Sequence, residues 1–583
     1  MKQILLPIIL LVGSIYGYIE DSINPALSDE TSLLPPPQNI SYGTLSGQID
    51  PCNLNFDINM SVKGSNHLQD LLAYYKPRLF PNISQNCNIK KRLLKAQVNT
   101  IKFIINNDIT ELMTKSLEDM DESYEIYVDQ DLTQIQIKAN QYVGYVRGLA
   151  TLKQLIKPSK KNQGFYEVKF LPLIIKDAPR FPYRGFMLDT ARHYHSVKTI
   201  KEIIDVLSSA KFSVFHWHIV DDESFPMELK SFPSITLNGA FSADKVYTRE
   251  MMTDIINYGL KLGIRVIPEF DNPGHTRSIG YDPELEPLMR CWNTNFSYYL
   301  PDAYRIKGAR TGVLDPSYSQ SYEVIEGILR DINDIFPDNM LMLGGDEVLT
   351  YCFDENPKIK DFMKENGILT YSDLFQYHIE KVKKIVANIN ANKTTLYWSN
   401  EDTFFLDFKP NDILLYWGQS SNIGNLSQIY PNNKFVLLPG DHYYLDCGRA
   451  NKYGGTTWCE PFKSWWSIYQ FEPEDYLTKD RVYGGEVAAW SEKFNDLNIH
   501  SAIWPRALAL ADKLWGQKVP TDLQRLTTRL HLFEKQLESQ GIPFTPITDG
   551  YCEASNICFE RRDPLLQVAN PIHENVDKYN FIK

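Results

Sequence analysis

Residues 264–276 read Ile-Arg-Val-Ile-Pro-Glu-Phe-Asp-Asn-Pro-Gly-His-Thr. Ile264–Phe270 has the character of a buried strand, and Glu269, Asp271 and His275 cluster at its far end. Thr248–Leu262, just before it, has helical spacing. The same unit recurs along the chain. Further strands are expected at Gly185–Asp189, Ser213–Ile219, Leu341–Gly345, Thr395–Trp398, Ile413–Tyr416, Phe435–Leu438 and Gly485–Trp490. Helices are expected at Thr199–Ala210, Tyr322–Ile335, Ser372–Ile389 and Trp504–Leu514. Eight strands alternating with helices predict an α/β fold, a (β/α)8 TIM-type barrel. Such a barrel carries its reactive groups at the C-terminal ends of the strands.

Charged and aromatic residues stand at those ends, strand after strand. They are Asp189 and Arg192; His216, Trp217, His218, Asp221 and Asp222; Glu269, Asp271 and His275; then Asp346 and Glu347. Trp398 and Glu401, Trp417, then Asp441, Tyr444 and Asp446, and finally Trp490 and Glu492 complete the circuit. Any single acid here can be a helix cap or a partner for backbone amides. Convergence on one cavity points instead to a pocket. Indole faces beside carboxylates and a guanidinium suit a monosaccharide, and paired carboxylates suit glycosidic bond cleavage. Asp346 and Glu347 are adjacent, and neighbours on a strand point to opposite sides. An acid and a nucleophile across one bond are therefore awkward to place. A carboxylic acid plus a carboxylate that steadies a nucleophile carried by the substrate fits better. His216 and His218 share a strand face and offer a rival reading as metal ligands.

A smaller α+β domain is expected ahead of the barrel. Val98–Ile105 is strand-like, Tyr124–Val128 and Leu132–Lys138 form a hairpin across 129–131, Gln141–Ile156 is helical, and Phe170–Ile175 is strand. The expected division is 1–17 leader, 18–45 flexible lead-in containing Pro35-Pro36-Pro37, 46–178 accessory domain, and 179–583 barrel with a C-terminal extension that is helical at Leu523–Leu537.

Met1–Gly17 has a basic start, an apolar run and small residues, as secretory signal peptides do, and is too short to span a membrane. No later stretch reads as a span. Secretion makes the eight cysteines candidates for disulfides, with 105 possible pairings, and none forms a CxxC zinc pattern. Sequons at Asn39, Asn59, Asn82, Asn295, Asn392 and Asn425 permit glycosylation. The net charge of −12 over 583 residues argues against a duplex nucleic-acid binder. Hydrophobic residues at 43% and charged residues at 23% exclude global disorder.

The residues at the strand ends carry a resemblance. Arg184–Tyr194 (RGFMLDTARHY), Phe215–Pro226 (FHWHIVDDESFP), Gly263–Thr276, Leu343–Val348 (LGGDEV), Tyr443–Asp446 (YYLD), Gly484–Glu492 (GGEVAAWSE) and Trp504–Trp515 (WPRALALADKLW) keep one order. They resemble the β-N-acetylhexosaminidases of glycoside hydrolase family 20, especially the eukaryotic lysosomal type. This family is a substrate-assisted exception among glycosidases. The resemblance implies Glu347 as general acid and base, and Asp346 as the partner of the 2-acetamido N–H. Tyr444 would bind the acetamido carbonyl, and Asp221 and His275 would tune Glu347. Trp398, Trp417 and Trp490 would be walls, with Arg192, Asp446 and Glu492 as hydroxyl ligands. It implies no cofactor, a glycan substrate, a homodimer, and a lysosomal or secreted location. It pairs Cys291 with Cys352 and Cys52 with Cys87, while proximity suggests Cys447 with Cys459 and Cys552 with Cys558.

The chain departs from the family pattern at Met342, where His is usual, and at Ile279, where Trp is common. Asp446-Cys447 at the rim implies neutral rather than sulfated sugars. Two rival functions differ in class. A catalytically silent lectin-like homologue would have lost Asp346, Glu347 or Tyr444, and all three are present. A metal-dependent barrel hydrolase would be sensitive to chelators.

Overall fold

A computed structural model describes residues 33–547 apart from 82–86, 88–96, 106–107, 110–115, 129–130, 293–311, 450–456, 458 and 519–522. The leader, the sequons at Asn82 and Asn295, and the pair Cys552 and Cys558 lie outside the described residues.

The first domain is a mixed sheet of β1 (Asn39–Ile49), β2 (Asn55–Ile58), β3 (Thr100–Ile105), β4 (Tyr124–Val128), β5 (Gln134–Ala139), β6 (Lys157–Pro158) and β7 (Tyr166–Asp177). Its order is β1-β7-β4-β5-β3-β2, with β6 beside β7. The expected hairpin is β4 with β5, paired antiparallel. One expectation is corrected. Residues 39–45 are not part of a flexible lead-in but of β1, which pairs along β7 from Asn39↔Lys176 to Ile49↔Tyr166. Leu33 and Leu34, just ahead of the prolines, are already core. The helix Tyr142–Leu155 has 13 of its residues buried, because it lies between the sheet and the barrel.

The second domain opens with β8 (Tyr183–Asp189), β9 (Val214–His218) and β10 (Arg265–Glu269). A short ribbon follows, β11 (Met289–Arg290) with β12 (Val313–Leu314). Then come β13 (Met340–Met342), β14 (Thr394–Ser399), β15 (Ile413–Tyr416), β16 (Lys434–Leu437) and β17 (Val482–Ala489). β8, β9, β10 and β13–β17 close into a barrel, all neighbours parallel. β8, β9, β10 and β17 are buried along their whole length, as barrel strands covered by helices must be. Each Leu, Ile or Val so buried contributes about 1.5–3 kcal/mol.

The helices begin where their caps dictate. Ser196 accepts the N–H of Thr199, Thr248 that of Met251, and Thr370 and Asp373 form a reciprocal capping box. The helix expected over Trp504–Leu514 is preceded by a short one, Ile499–Ile503, and itself runs Arg506–Trp515. Pro505 has no N–H to continue the first and caps the second.

Charged groups join the domains. Glu122 accepts from Arg147 (2.8 Å) on the helix Tyr142–Leu155 and from Arg184 (2.6 Å) at the base of β8, and all three are buried. Lys211 donates to Asp177 (2.8 Å), whose carboxylate also takes the indole N–H of Trp515. Disulfides link Cys52 to Cys87, Cys291 to Cys352 and Cys447 to Cys459.

Candidate active site

The expected strand Leu341–Gly345 ends early. β13 stops at Met342, and Gly344 (φ 64°), Gly345 (φ 88°) and Glu347 (φ 49°) all take left-handed backbone. A Cβ on Gly344 would lie 2.0 Å from Asp271 Oδ1, so this turn requires glycine. The alternation of a strand therefore does not govern Asp346 and Glu347, and both carboxyls turn towards one imidazole. His275 Nε2 is 3.5 Å from Glu347 Oε2 and 4.0 Å from Asp346 Oδ1. The other ring nitrogen, Nδ1, is 3.1 Å from Asp221 Oδ1. His275 itself has φ 55°.

Asp221 is completely buried, and its other oxygen takes His218 Nε2 at 2.7 Å and Arg192 Nη2 at 2.8 Å. Burial alone would raise its pKa, but Arg192, His275 and the bond from His218 hold it well below the usual carboxylate range. Burial would likewise discharge His275. Asp221 above all overcomes that and keeps the ring cationic. Burial pushes Asp346 up to about 6, with His275 pulling down and Glu347 pushing up. Asp271 Oδ1 receives the N–H of Gly345 (2.7 Å), and burial beside Asp346 keeps Asp271 protonated well above its ordinary range.

The aromatic wall comes from three strand ends. Trp398, at the end of β14, is buried and donates its indole N–H to Glu269 Oε1 at 2.6 Å. Trp490, just past β17, stands edge-on to His218 with ring centroids 4.7 Å apart, and 6.1 Å from Trp398. Trp417 follows β15 and is half-buried, its backbone N–H bonded to the carbonyl of Ser399. Tyr444 bridges to Ala488 of β17. Burial, with Asp346 and Asp446 near, keeps its phenol neutral and so a donor. The same loop carries Asp446, pinned from below by Arg506 on the carbonyl of Leu445 (2.7 Å) and beyond by the Cys447–Cys459 bridge. Asp446 is raised by burial and then by Glu492. Glu492 stands at the exposed rim, and its charge and that of Asp189 act on Arg192. The Arg192 guanidinium also lies 4.9 Å from the Trp490 ring.

All eleven expected site residues thus ring one end of the barrel. Four other acids at the strand ends anchor loops. Asp222 accepts the N–H groups of Arg277 (2.8 Å) and Gly312 (3.2 Å), and Asp441 takes the N–H and hydroxyl of Ser420. Glu401 takes the hydroxyl of Tyr416 and the amide of Asn422, and Asp189 the N–H groups of Ala191, Arg192 and Ser491. His216 and His218 do not present lone pairs to an open site. His216 faces Glu486 (2.9 Å) and Glu269 (3.0 Å), and His218 faces Glu269 (2.5 Å) and Asp221. Glu486 was not expected as a site residue. Its signal was a carboxylate inside an apolar strand run. Met342 is buried at the end of β13, opposite Glu269 and Leu396.

Comparison with known proteins agrees with this geometry. Residues 181–518 match the catalytic domain of glycosyl hydrolase family 20, and residues 33–155 match a domain described as beta-acetyl hexosaminidase like. The chain is 32% identical over 441 residues to beta-hexosaminidase subunit beta of Rattus norvegicus, covering 75% of this chain and 76% of that protein. To the Homo sapiens subunit beta it is 33% identical over 442 residues, covering 75% and 74%. An exo beta-N-acetylglucosaminidase of the family from Vibrio harveyi, solved with N-acetylglucosamine, superposes with TM-score 0.71 at 25% identity, covering 89% of this chain and 79% of that one.

Proposed function

The chain belongs to glycosyl hydrolase family 20 and has the family's β-N-acetylhexosaminidase activity; from that premise we propose that it removes terminal, non-reducing β-GlcNAc and β-GalNAc from neutral glycoconjugates or chitooligosaccharides, retaining the anomeric configuration by substrate assistance. The observation that carries the mechanism is the turn that brings Asp346 and Glu347 to the same imidazole. Protonated Glu347 gives its proton to the glycosidic oxygen as the C1–O bond breaks. The acetamido carbonyl oxygen attacks C1 and closes an oxazolinium ring. Asp346 accepts the acetamido N–H and steadies the positive charge that develops there, and Tyr444 donates to the carbonyl oxygen. Glu347, now a carboxylate, takes a proton from a water that attacks C1 and reopens the ring, which restores the acid and the β-anomer.

His275 between Asp221 and Glu347 suits an acid that changes protonation twice per turnover. Trp398, Trp417 and Trp490 form an apolar wall for the acetamido methyl and the sugar face, while Arg192, Asp446 and Glu492 meet hydroxyls. The three disulfides and the leader-like Met1–Gly17 favour passage through the secretory pathway, to a lysosome or the outside. Among the described residues no helix is long and apolar enough to cross a membrane. Glycosylation of the exposed sequons at Asn39, Asn59, Asn392 and Asn425, and a homodimer as in the resemblance, complete the reading.

The deciding experiment is hydrolysis of a chromogenic β-N-acetylglucosaminide between about pH 4 and 7, wild type beside Glu347→Gln. Activity in the wild type and its loss in the variant support the reading. Equal activity in both removes Glu347 from its role. No activity in either turns the reading to a silent lectin.

A further inference from the structure

A line of ionisable side chains runs from the barrel interior to Glu347. The Tyr183 hydroxyl donates to Glu486 Oε2 at 2.7 Å. Glu486 Oε1 lies 2.9 Å from His216 Nδ1, and His216 Nε2 lies 3.0 Å from Glu269 Oε2. The same oxygen is 2.5 Å from His218 Nδ1, and His218 Nε2 is 2.7 Å from Asp221 Oδ2. Asp221 then leads to His275 and Glu347. Everything from Tyr183 to Asp221 is buried. Glu269 stands where this line meets the pocket wall, because its Oε1 receives the indole N–H of Trp398.

We propose that Glu269 is a positioning residue for the glycosidase: its Oε2 keeps both nitrogens of His218 in use as donors and so fixes Asp221, His275 and the acid Glu347, while its Oε1 sets the plane of the Trp398 wall. The proposal rests on the reading of Glu347 as the acid. A neutral imidazole has one N–H, yet each ring nitrogen of His216 and His218 faces a carboxylate. The carboxylates therefore favour the imidazolium form of both rings, His218 most firmly because both of its nitrogens are hydrogen-bonded, so that anions and cations alternate along the line. The surrounding charges are these. Glu486 comes from β17 and Tyr183 from β8. Asp189 and Arg192 come from the loop after β8, and Asp221, Asp222 and Glu223 from the loop after β9. Asp271 and His275 follow β10, and Asp346 and Glu347 follow β13.

Glu269→Gln keeps the shape and reverses part of the bonding. With its carbonyl towards Trp398, its amide only donates towards His216 and His218. Nδ1 of His218 must then accept, and the ring becomes neutral. Asp221 loses a charged donor, less positive charge stands near Glu347, and the acid holds its proton to higher pH.

The test is kcat and KM for a chromogenic β-N-acetylglucosaminide from about pH 4 to 9, using the full chain. In Glu269→Gln, kcat falls about tenfold or more, KM changes less than about threefold, and the alkaline limb of kcat moves to higher pH. Trp398→Phe, which removes the donor to Oε1 and part of the wall, raises KM and leaves the limb in place. Glu486→Gln, two links back, moves the limb the same way by less, and decides the matter if Glu269→Gln does not fold. A limb that superposes on wild type in the glutamine variants, or a loss in KM alone, overturns the proposal. An inactive wild type instead overturns the glycosidase reading on which it rests.

Discussion

Glu347 Oε2 stands 3.5 Å from His275 Nε2, and both residues hold left-handed backbone, φ 49° and 55°. Two strained neighbours facing each other mark a geometry that the surrounding structure imposes. Replacing the imidazole removes both the cation beside the acid and its link to Asp221. His275→Asn is expected to lower kcat about 10- to 100-fold, with the alkaline limb moved to higher pH, while KM changes little. Steady-state kinetics across pH check this, and a loss confined to KM would count against His275 as a partner of the acid.

Asp346 is expected to act on the charge that forms in the ring closure. Asp346→Asn keeps the pocket's size and loses a charge-assisted bond of about 1.5–3 kcal/mol. Binding of a thiazoline analogue of the oxazolinium should weaken about 10- to 100-fold, measured as an inhibition constant. An unchanged constant would place Asp346 elsewhere in the reaction.

Gly344 is a backbone requirement rather than a contact. Gly344→Ala places a methyl 2.0 Å from Asp271 Oδ1 at φ 64°. The expected cost is about 2 kcal/mol or more, with activity lost as the Asp346-Glu347 turn shifts. Gly367 has a similar φ of 67° but nothing within 4 Å, so Gly367→Ala should show backbone strain alone and retain activity. Melting curves and rates for the pair separate the two effects.

Stability should fall on the alkaline side. Burial lowers the pKa of His216, but Glu486 and Glu269 outweigh it and raise the ring to about 9. A folded value above the unfolded one means that the contribution is whole below about pH 6.5 and is lost as pH rises through about 9. The contribution is of order 3 kcal/mol. Thermal melts should therefore show decreasing stability from about pH 6.5 to 9, and a flat profile there would refute the imidazolium assignment.

Asp446 and Glu492 bring two carboxyl groups to the rim, where burial raises both and Glu492 raises Asp446 further, so another acidic group is poorly accommodated there. A 6-sulfated substrate is expected to have kcat/KM at least about tenfold below its neutral counterpart. Comparable turnover of both substrates by the wild type would remove this basis for specificity.

Much of this was legible in the chain. The eight barrel strands announce themselves as apolar runs ending in charge, and Ile413–Tyr416 matches to the residue. β1 was hidden because Pro35-Pro36-Pro37 suggests an extended lead-in, and its pairing with Tyr166–Asp177 spans more than a hundred residues. The helix expected from Trp504 starts at Arg506, after Pro505, and the five-residue helix Ile499–Ile503 ahead of it is too short to show a period. The pairing of Asp346 with Glu347 looked awkward only while a strand was assumed to continue. Gly344-Gly345 was the available signal that it did not. The partners of Glu269 are invisible in one dimension, since His216, Glu486 and Trp398 come from three other strands.

The buried triad of Glu122, Arg147 and Arg184 sets a limit on modularity. Arg184 lies at the floor of the barrel, while Glu122, which neutralises it, comes from the other domain. Excising residues 33–178 would remove that counter-ion and open the guanidinium and the apolar face around it to water. The smaller domain is therefore no detachable appendage. It is the stopper of the barrel, and hydrolase activity should not survive its removal in a soluble fragment.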